Sequence, residues 1–175
     1  MVFVFSDLVA VTSTALPELS FVVKGQPPVQ QSPRIAWRTR RGRAPIYYDP
    51  SSRDKRVWRL SLQQELIDCG VKVVNPFFPN ETQQTSNGLV LEVVFFLSRP
   101  ARDFRTKNGI RVLKEDHQKY PDSKDTDNMV KFVMDAMHIV VYHDDGCVVS
   151  IVAEKRFVEA YDNQPYTTIR ITKME

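Results

Sequence analysis

Two short acidic stretches hold the side chains best suited to chemistry, Asp125-Thr126-Asp127-Asn128 and Asp144-Asp145-Gly146. Carboxylates at i and i+2 of extended backbone point to the same side. A strand returning beside the start of the helix that follows Asp127 would carry the second stretch back to the first. Converging carboxylates repel, so either some take up protons or a cation sits among them. Oxygen ligands without cysteine select a hard ion, Mg²⁺ with Mn²⁺ as a substitute, which keeps several waters and uses one or two carboxylates. Such an ion polarises a phosphate, activates water and stabilises a leaving oxygen. The competing reading is local, with Asp127 as a helix N-cap and Asp144-Asp145-Gly146 as a hairpin turn.

Lys131 lies four residues after Asp127 and four before Asp135, on one helix face. It either makes two i,i+4 ion pairs of about 0.2–0.5 kcal/mol each, or stabilises charge developing on a phosphate. His143, beside the aspartate pair, is either an acid–base group or an exposed turn histidine.

The elements that must position these residues are legible in the hydrophobic pattern. A helix is expected over 128–137, with Met129, Phe132, Val133, Ala136 and Met137 at helical spacing. Another is expected over 51–69, after Asp49 as cap and Pro50 as first helical residue, with Trp58, Leu62, Leu66 and Cys69 on its apolar stripe. On that helix Arg53, Lys55, Arg56 and Arg59 are expected to look outward. Strands are expected over 19–24, 71–74, 89–97, 139–142, 147–157 and 166–173, with a long polar loop over 99–124. The order implies an α+β domain, a mixed sheet with two main helices packed on it. Residues 1–18 read as a tail or an extra strand, and 19–175 as the single domain.

With 175 residues, 42% of them hydrophobic and 26% charged, the chain is long enough for one self-sufficient core and excludes fibrous or wholly disordered classes. Cys69 and Cys147 stand too far apart for a zinc or redox motif, and with no apolar run long enough to cross a bilayer an intracellular, membrane-free setting is expected. The apolar start lacks a basic n-region and does not read as a secretory signal. Charge is polarised: residues 34–59 hold nine basic and two acidic residues, +7, leaving −4 elsewhere in a chain of +3. Arg38, Arg40, Arg41, Arg43, Lys55, Arg56 and Arg59 are the candidate phosphate-binding set, with Trp37, Tyr47 and Tyr48 interleaved as stacking surfaces or rim of the core.

The run Asp125-Thr-Asp127-Asn128-Met-Val-Lys131-Phe-Val-Met-Asp135-Ala-Met, then Asp144-Asp145-Gly-Cys-Val, resembles the RusA-type Holliday-junction resolvases, whose pattern is D-x-D-N-x-x-K-x-x-x-D-A-L followed by D-D before a valine-rich strand. The opening strand and its Gly25-Gln-Pro27 loop with Arg34 downstream resemble the same family, so the likeness covers roughly residues 19–173. It departs at the helix exit, where Met-His-Ile replaces an Asn-Gly corner, and at Asp122, a second candidate for the first ligand.

The resemblance implies a homodimeric, Mg²⁺-dependent endonuclease that resolves four-way DNA junctions by paired symmetric nicks, with metal-activated water attacking the phosphodiester. It implies Asp125, Asp127 and Asp145 as metal ligands, Lys131 as the catalytic lysine and a structural role for Asp135. The alternatives are a non-catalytic, structure-specific DNA-binding protein and a flap or fork nuclease on the same fold.

Overall fold

The structure, a computed structural model, describes residues 17–25, 52–71, 76–77, 88–159 and 164–174, and the backbone of 34–36 and 46–48. In chain order the elements are β1 (Glu18–Lys24), β2 (Arg34–Ala36), β3 (Ile46–Tyr48), α1 (Ser52–Asp68), β4 (Leu89–Leu97), β5 (Phe104–Lys107), β6 (Ile110–Leu113), α2 (Thr126–Met137), β7 (Val148–Phe157) and β8 (Tyr166–Lys173). The expected tail over 1–18 falls mostly outside the described residues.

The main sheet runs β1-β8-β4-β7. β1 and β4 are each antiparallel to β8, whereas β7 is parallel to β4. Alternation puts Leu19, Phe21 and Val23 of β1 and Leu89, Leu91, Val93, Phe95 and Leu97 of β4 on one face, with Ile169 and Ile171 of β8. The helices cover that face. α1 contributes Trp58, Leu62 and Leu66, and α2 contributes Met129, Phe132, Val133, Ala136 and Met137, forming one continuous core. Trp58 meets Phe132 edge to face, ring centroids 5.9 Å apart, so the indole is core. This is the α+β architecture expected, a mixed main sheet with two helices packed on it.

Three expected elements differ. Residues 139–142 form no strand: after α2 the chain turns tightly, with one isolated bridge between His138 and Tyr142. Ile139 takes a left-handed φ of 73° there, and its N–H donates to the Tyr142 carbonyl at 2.7 Å. A β-branched residue in that conformation is strained. The long loop is largely structured, because β5 and β6 pair as a hairpin around Asn108-Gly109, both at positive φ. Of 71–74, Val71 is not in a strand and the rest lies outside the described residues.

A parallel neighbour for β4 requires a crossover, and α2 lies on it. α2 then runs back against β7, so the end of α2 adjoins the beginning of β7. No described helix is long and apolar enough to cross a membrane.

Candidate active site

Asp125 is the N-cap of α2, extended at φ −71° and ψ 132°, and its backbone carbonyl accepts the Met129 N–H at 3.2 Å. Its carboxylate makes no capping bond and, among the described residues, accepts from the Asn128 side-chain amide at 3.4 Å. The N-cap role thus falls to Asp125 rather than Asp127, which sits in the first turn. Both carboxylates are exposed at a helix N-terminus, where the macrodipole favours negative charge.

Two lysines that sequence patterns did not single out shape this end. Lys124 adopts φ 71°, and its carbonyl accepts a 2.8 Å hydrogen bond from the Lys155 ammonium near the end of β7. Burial depresses the Lys124 pKa. Asp122 is drawn elsewhere: bonding to Gln118 first, with help from Arg102 at 3.8 Å, holds its carboxyl below the usual range.

Lys131 is exposed and makes neither of the two i,i+4 ion pairs, among the described residues. Asp135 is instead bonded to Lys55 at 2.9 Å, joining α1 to α2. That leaves the Lys131 ammonium one turn beyond Asp127, facing solvent.

Asp145 lies at the other end. The Tyr142 hydroxyl donates to the Met134 carbonyl at 3.1 Å, on the last turn of α2. Burial, then Cys147, Asp145 and Asp135, push the Tyr142 phenol far upward. Burial likewise raises the Cys147 thiol to about 11, with Asp144 and Asp145 adding to it. Asp144 is engaged in the turn, its carboxylate accepting the Gly146 N–H at 2.8 Å, and residues 145–147 form a single 3₁₀ turn.

The expected convergence is therefore corrected for a single copy. Twelve residues of α2 span about 18 Å, and β7 runs about 23 Å from Val148 to Lys155. Asp125 and Asp127 stand at one end of these paired elements and Asp145 at the other. Among the described residues no three Asp, Glu, His or Cys side chains stand close enough to hold a metal. The reason is direction: a strand entered by a tight turn from a helix begins where the helix ends.

The α1 cations also divide. Lys55 and Arg59 do not look outward. Besides the Lys55–Asp135 pair, Arg59 donates to the Asp135 carbonyl at 3.1 Å and the Ala136 carbonyl at 3.4 Å, satisfying the C-terminal end of α2. Arg53 and Arg56 are exposed. Arg38, Arg40, Arg41, Arg43 and Trp37 lie outside the described residues, and of Tyr47 and Tyr48 only the backbone is described.

A comparison with curated proteins returned no match. The family model for endodeoxyribonuclease RusA matches residues 26–172, most of the chain, which includes every element from β2 to β7 and nearly all of β8. The mixed sheet and the two helices agree with that match, and the chain belongs to the RusA family of endodeoxyribonucleases, hydrolases that cut DNA.

Proposed function

We propose that this protein is a Mg²⁺-dependent resolvase of four-way DNA junctions, acting as a homodimer whose two active sites each draw on both copies. The observation that carries it is the start of α2: two carboxylates that, among the described residues, are committed neither to capping nor to ion pairing stand one turn from a solvent-facing lysine. The donor set is all oxygen, which suits Mg²⁺ held by one or two carboxylates and water. Asp125 and Asp127 are its ligands in this reading. When bound, the ion supplies Lewis-acid polarisation of the scissile phosphate. Lys131 stabilises negative charge on the phosphate oxygens, and the Lys155 bond to the Lys124 carbonyl holds the turn that presents Asp125.

Asp145 joins this site from the second copy. β7 is an edge strand that pairs only with β4 among the described elements, and it exposes Val149 (59%), Ile151 (44%) and Val152 (58%). Apolar edges of this kind invite pairing. Two β7 edges related by a two-fold axis run antiparallel. The beginning of one, preceded by Asp145, then comes beside the end of the other, where Lys155 holds the Lys124–Asp125 turn. Such a dimer presents two sites to a roughly two-fold substrate, which accounts for paired nicks.

The test compares cleavage of four-way, flap and linear duplex DNA over a Mg²⁺ titration, with the parent protein and Asp127→Asn. The expected result is Mg²⁺-dependent nicking of the four-way junction, lost in Asp127→Asn while junction binding in Ca²⁺ persists. Equal cleavage by Asp127→Asn would remove that residue from the mechanism, and a preference for flaps would reassign the substrate.

A further inference from the structure

The β5–β6 hairpin is unaccounted for by the active site, and no other described strand or long helix packs extensively on it. Its segment, Phe104-Arg-Thr-Lys-Asn-Gly-Ile-Arg-Val-Leu113, holds three cations and no acid. Arg105, Lys107, Ile110 and Arg111 are all exposed. Strand pairing sets Arg105 opposite Val112 and Lys107 opposite Ile110, so one face carries a row of cations beside a row of aliphatic side chains. On the opposite face the Arg111 guanidinium lies 4.3 Å over the Phe104 ring, which fixes its plane and leaves its edge free to donate.

The root of this arm is tied to the end of the sheet that carries the proposed site. The Lys114 N–H donates to the Asp103 carbonyl at 2.9 Å, closing the hairpin. The buried Asp103 carboxylate lies 3.5 Å from Arg99, whose guanidinium sits 4.4 Å over Phe157 and also donates to the Gln118 carbonyl at 2.9 Å. Phe157 ends β7, two residues from Lys155, and Lys155 grips the residue before Asp125. The arm therefore springs from the same end of the sheet as Asp125 and Asp127.

The geometry points to the β5–β6 hairpin as a DNA-backbone arm, in which Arg105 and Lys107 on one face bind phosphates with Ile110 and Val112 against the adjoining deoxyriboses, and Arg111 on the other face binds a phosphate of the backbone on that side. This rests on the DNA-cleaving function proposed above and extends its binding surface beyond the basic 34–59 stretch. Exposed cations on a short two-stranded arm neutralise phosphates without reading sequence. Among the described residues the ion pair opposing this, Arg105 with Glu115 at 3.7 Å, is solvent-exposed and weak, so DNA displaces it readily.

The test is equilibrium binding of a four-way junction and of linear duplex in Ca²⁺ across a salt series. The parent is compared with the triple variant Arg105→Ala, Lys107→Ala, Arg111→Ala, whose melting is checked by circular dichroism. Each phosphate contact contributes about 0.9 to the slope of log affinity against log salt. The triple variant is expected to lose about 2–3 of that slope on both DNAs, with affinity at least about tenfold lower at low salt. Should it fail to fold, Lys107→Glu at the exposed tip is expected to lose about 1. An unchanged slope in a folded variant overturns the arm, whether the hairpin then serves an acidic protein partner or nothing. A parent that binds DNA with the full slope but cuts no junction overturns the nuclease reading and leaves the arm standing.

Discussion

The Lys155 ammonium donates to the Lys124 carbonyl oxygen at 2.8 Å, tying the far end of β7 to the residue that precedes Asp125. This bond distinguishes the two ends of α2: Asp125 and Asp127 share theirs with Lys155, while Asp145 follows the turn at the other, where the Tyr142 hydroxyl meets the last turn of α2. Lys124 holds a left-handed conformation that a residue with a Cβ adopts at a cost of about 1 kcal/mol or more, and the lysine's bond offsets part of it.

Lys155→Met removes this charge-assisted bond without a large change in volume. Groups that orient metal ligands commonly contribute 10–100-fold to metal affinity or activity. About tenfold more Mg²⁺ is expected at half-maximal junction cleavage, with binding in Ca²⁺ unaltered and Lys155→Arg partly restored. An unmoved Mg²⁺ midpoint would leave Lys155 with a purely structural role.

Mixed dimers report whether one site draws on two copies. Asp127→Asn and Asp145→Asn chains are each expected to be inactive alone. Mixed, they form dimers in which one site carries both changes and the other carries neither, so nicking of one strand returns. Sites complete within a single copy would give no activity in any mixture.

The Lys55–Asp135 pair bridges the helices, its side chains 16% and 33% exposed. A hydrogen bond between charged groups contributes about 1.5–3 kcal/mol, and partial exposure trims this to about 1–2 kcal/mol. In a domain of this size Asp135→Ala is expected to lower the Tm by roughly 3–8 °C. A double-mutant cycle with Lys55→Met assigns the coupling; a Tm within a degree of the parent would dismiss it.

Ile139→Gly relieves the left-handed strain at the exit of α2, where φ is 73°. The relief of about 1–2 kcal/mol exceeds the cost of added glycine freedom, about 0.5–1 kcal/mol. A Tm about 1–4 °C higher is expected, and a lower Tm would mean the isoleucine side chain contributes more by packing than its backbone costs.

Cys147 is buried and its thiol is raised to about 11, whereas Cys69 is exposed. At pH 8 a thiol alkylating agent is expected to modify Cys69 alone until denaturant is added. Because the folded Cys147 holds its proton above the pH at which the unfolded thiol loses it, its contribution to stability is complete below about pH 8.5 and declines as pH rises toward 11. Denaturant midpoints between pH 8 and 11 check the sign. Rapid labelling of both thiols in the native protein would contradict the burial.

Much of the scaffold was legible because it is periodic. β4 reads as a continuous apolar run and is found over Leu89–Leu97, and α2 begins two residues earlier than its apolar spacing suggested because Thr126 and Asp127 form its polar first turn. The β5–β6 hairpin passed for loop, although Asn108-Gly109 between alternating residues is a hairpin signal; its few apolar positions had masked the alternation. Residues 139–142, apolar and β-branched, read as strand, yet the short span between α2 and β7 leaves room only for a turn.

Sequence alone determined which residues are candidates for the chemistry, the acidic motifs, Lys131 and the basic stretch, and most of the helices and strands that bear them, since each is written in spacing over a dozen residues or fewer. Tertiary structure decided which of them meet. It turned Lys55 and Arg59 inward onto α2, denied Lys131 its helical partners, and parted Asp145 from Asp125 by the length of a helix. Those outcomes depend on strand order and direction, and on contacts between residues up to 80 positions apart in the chain, which no local pattern encodes.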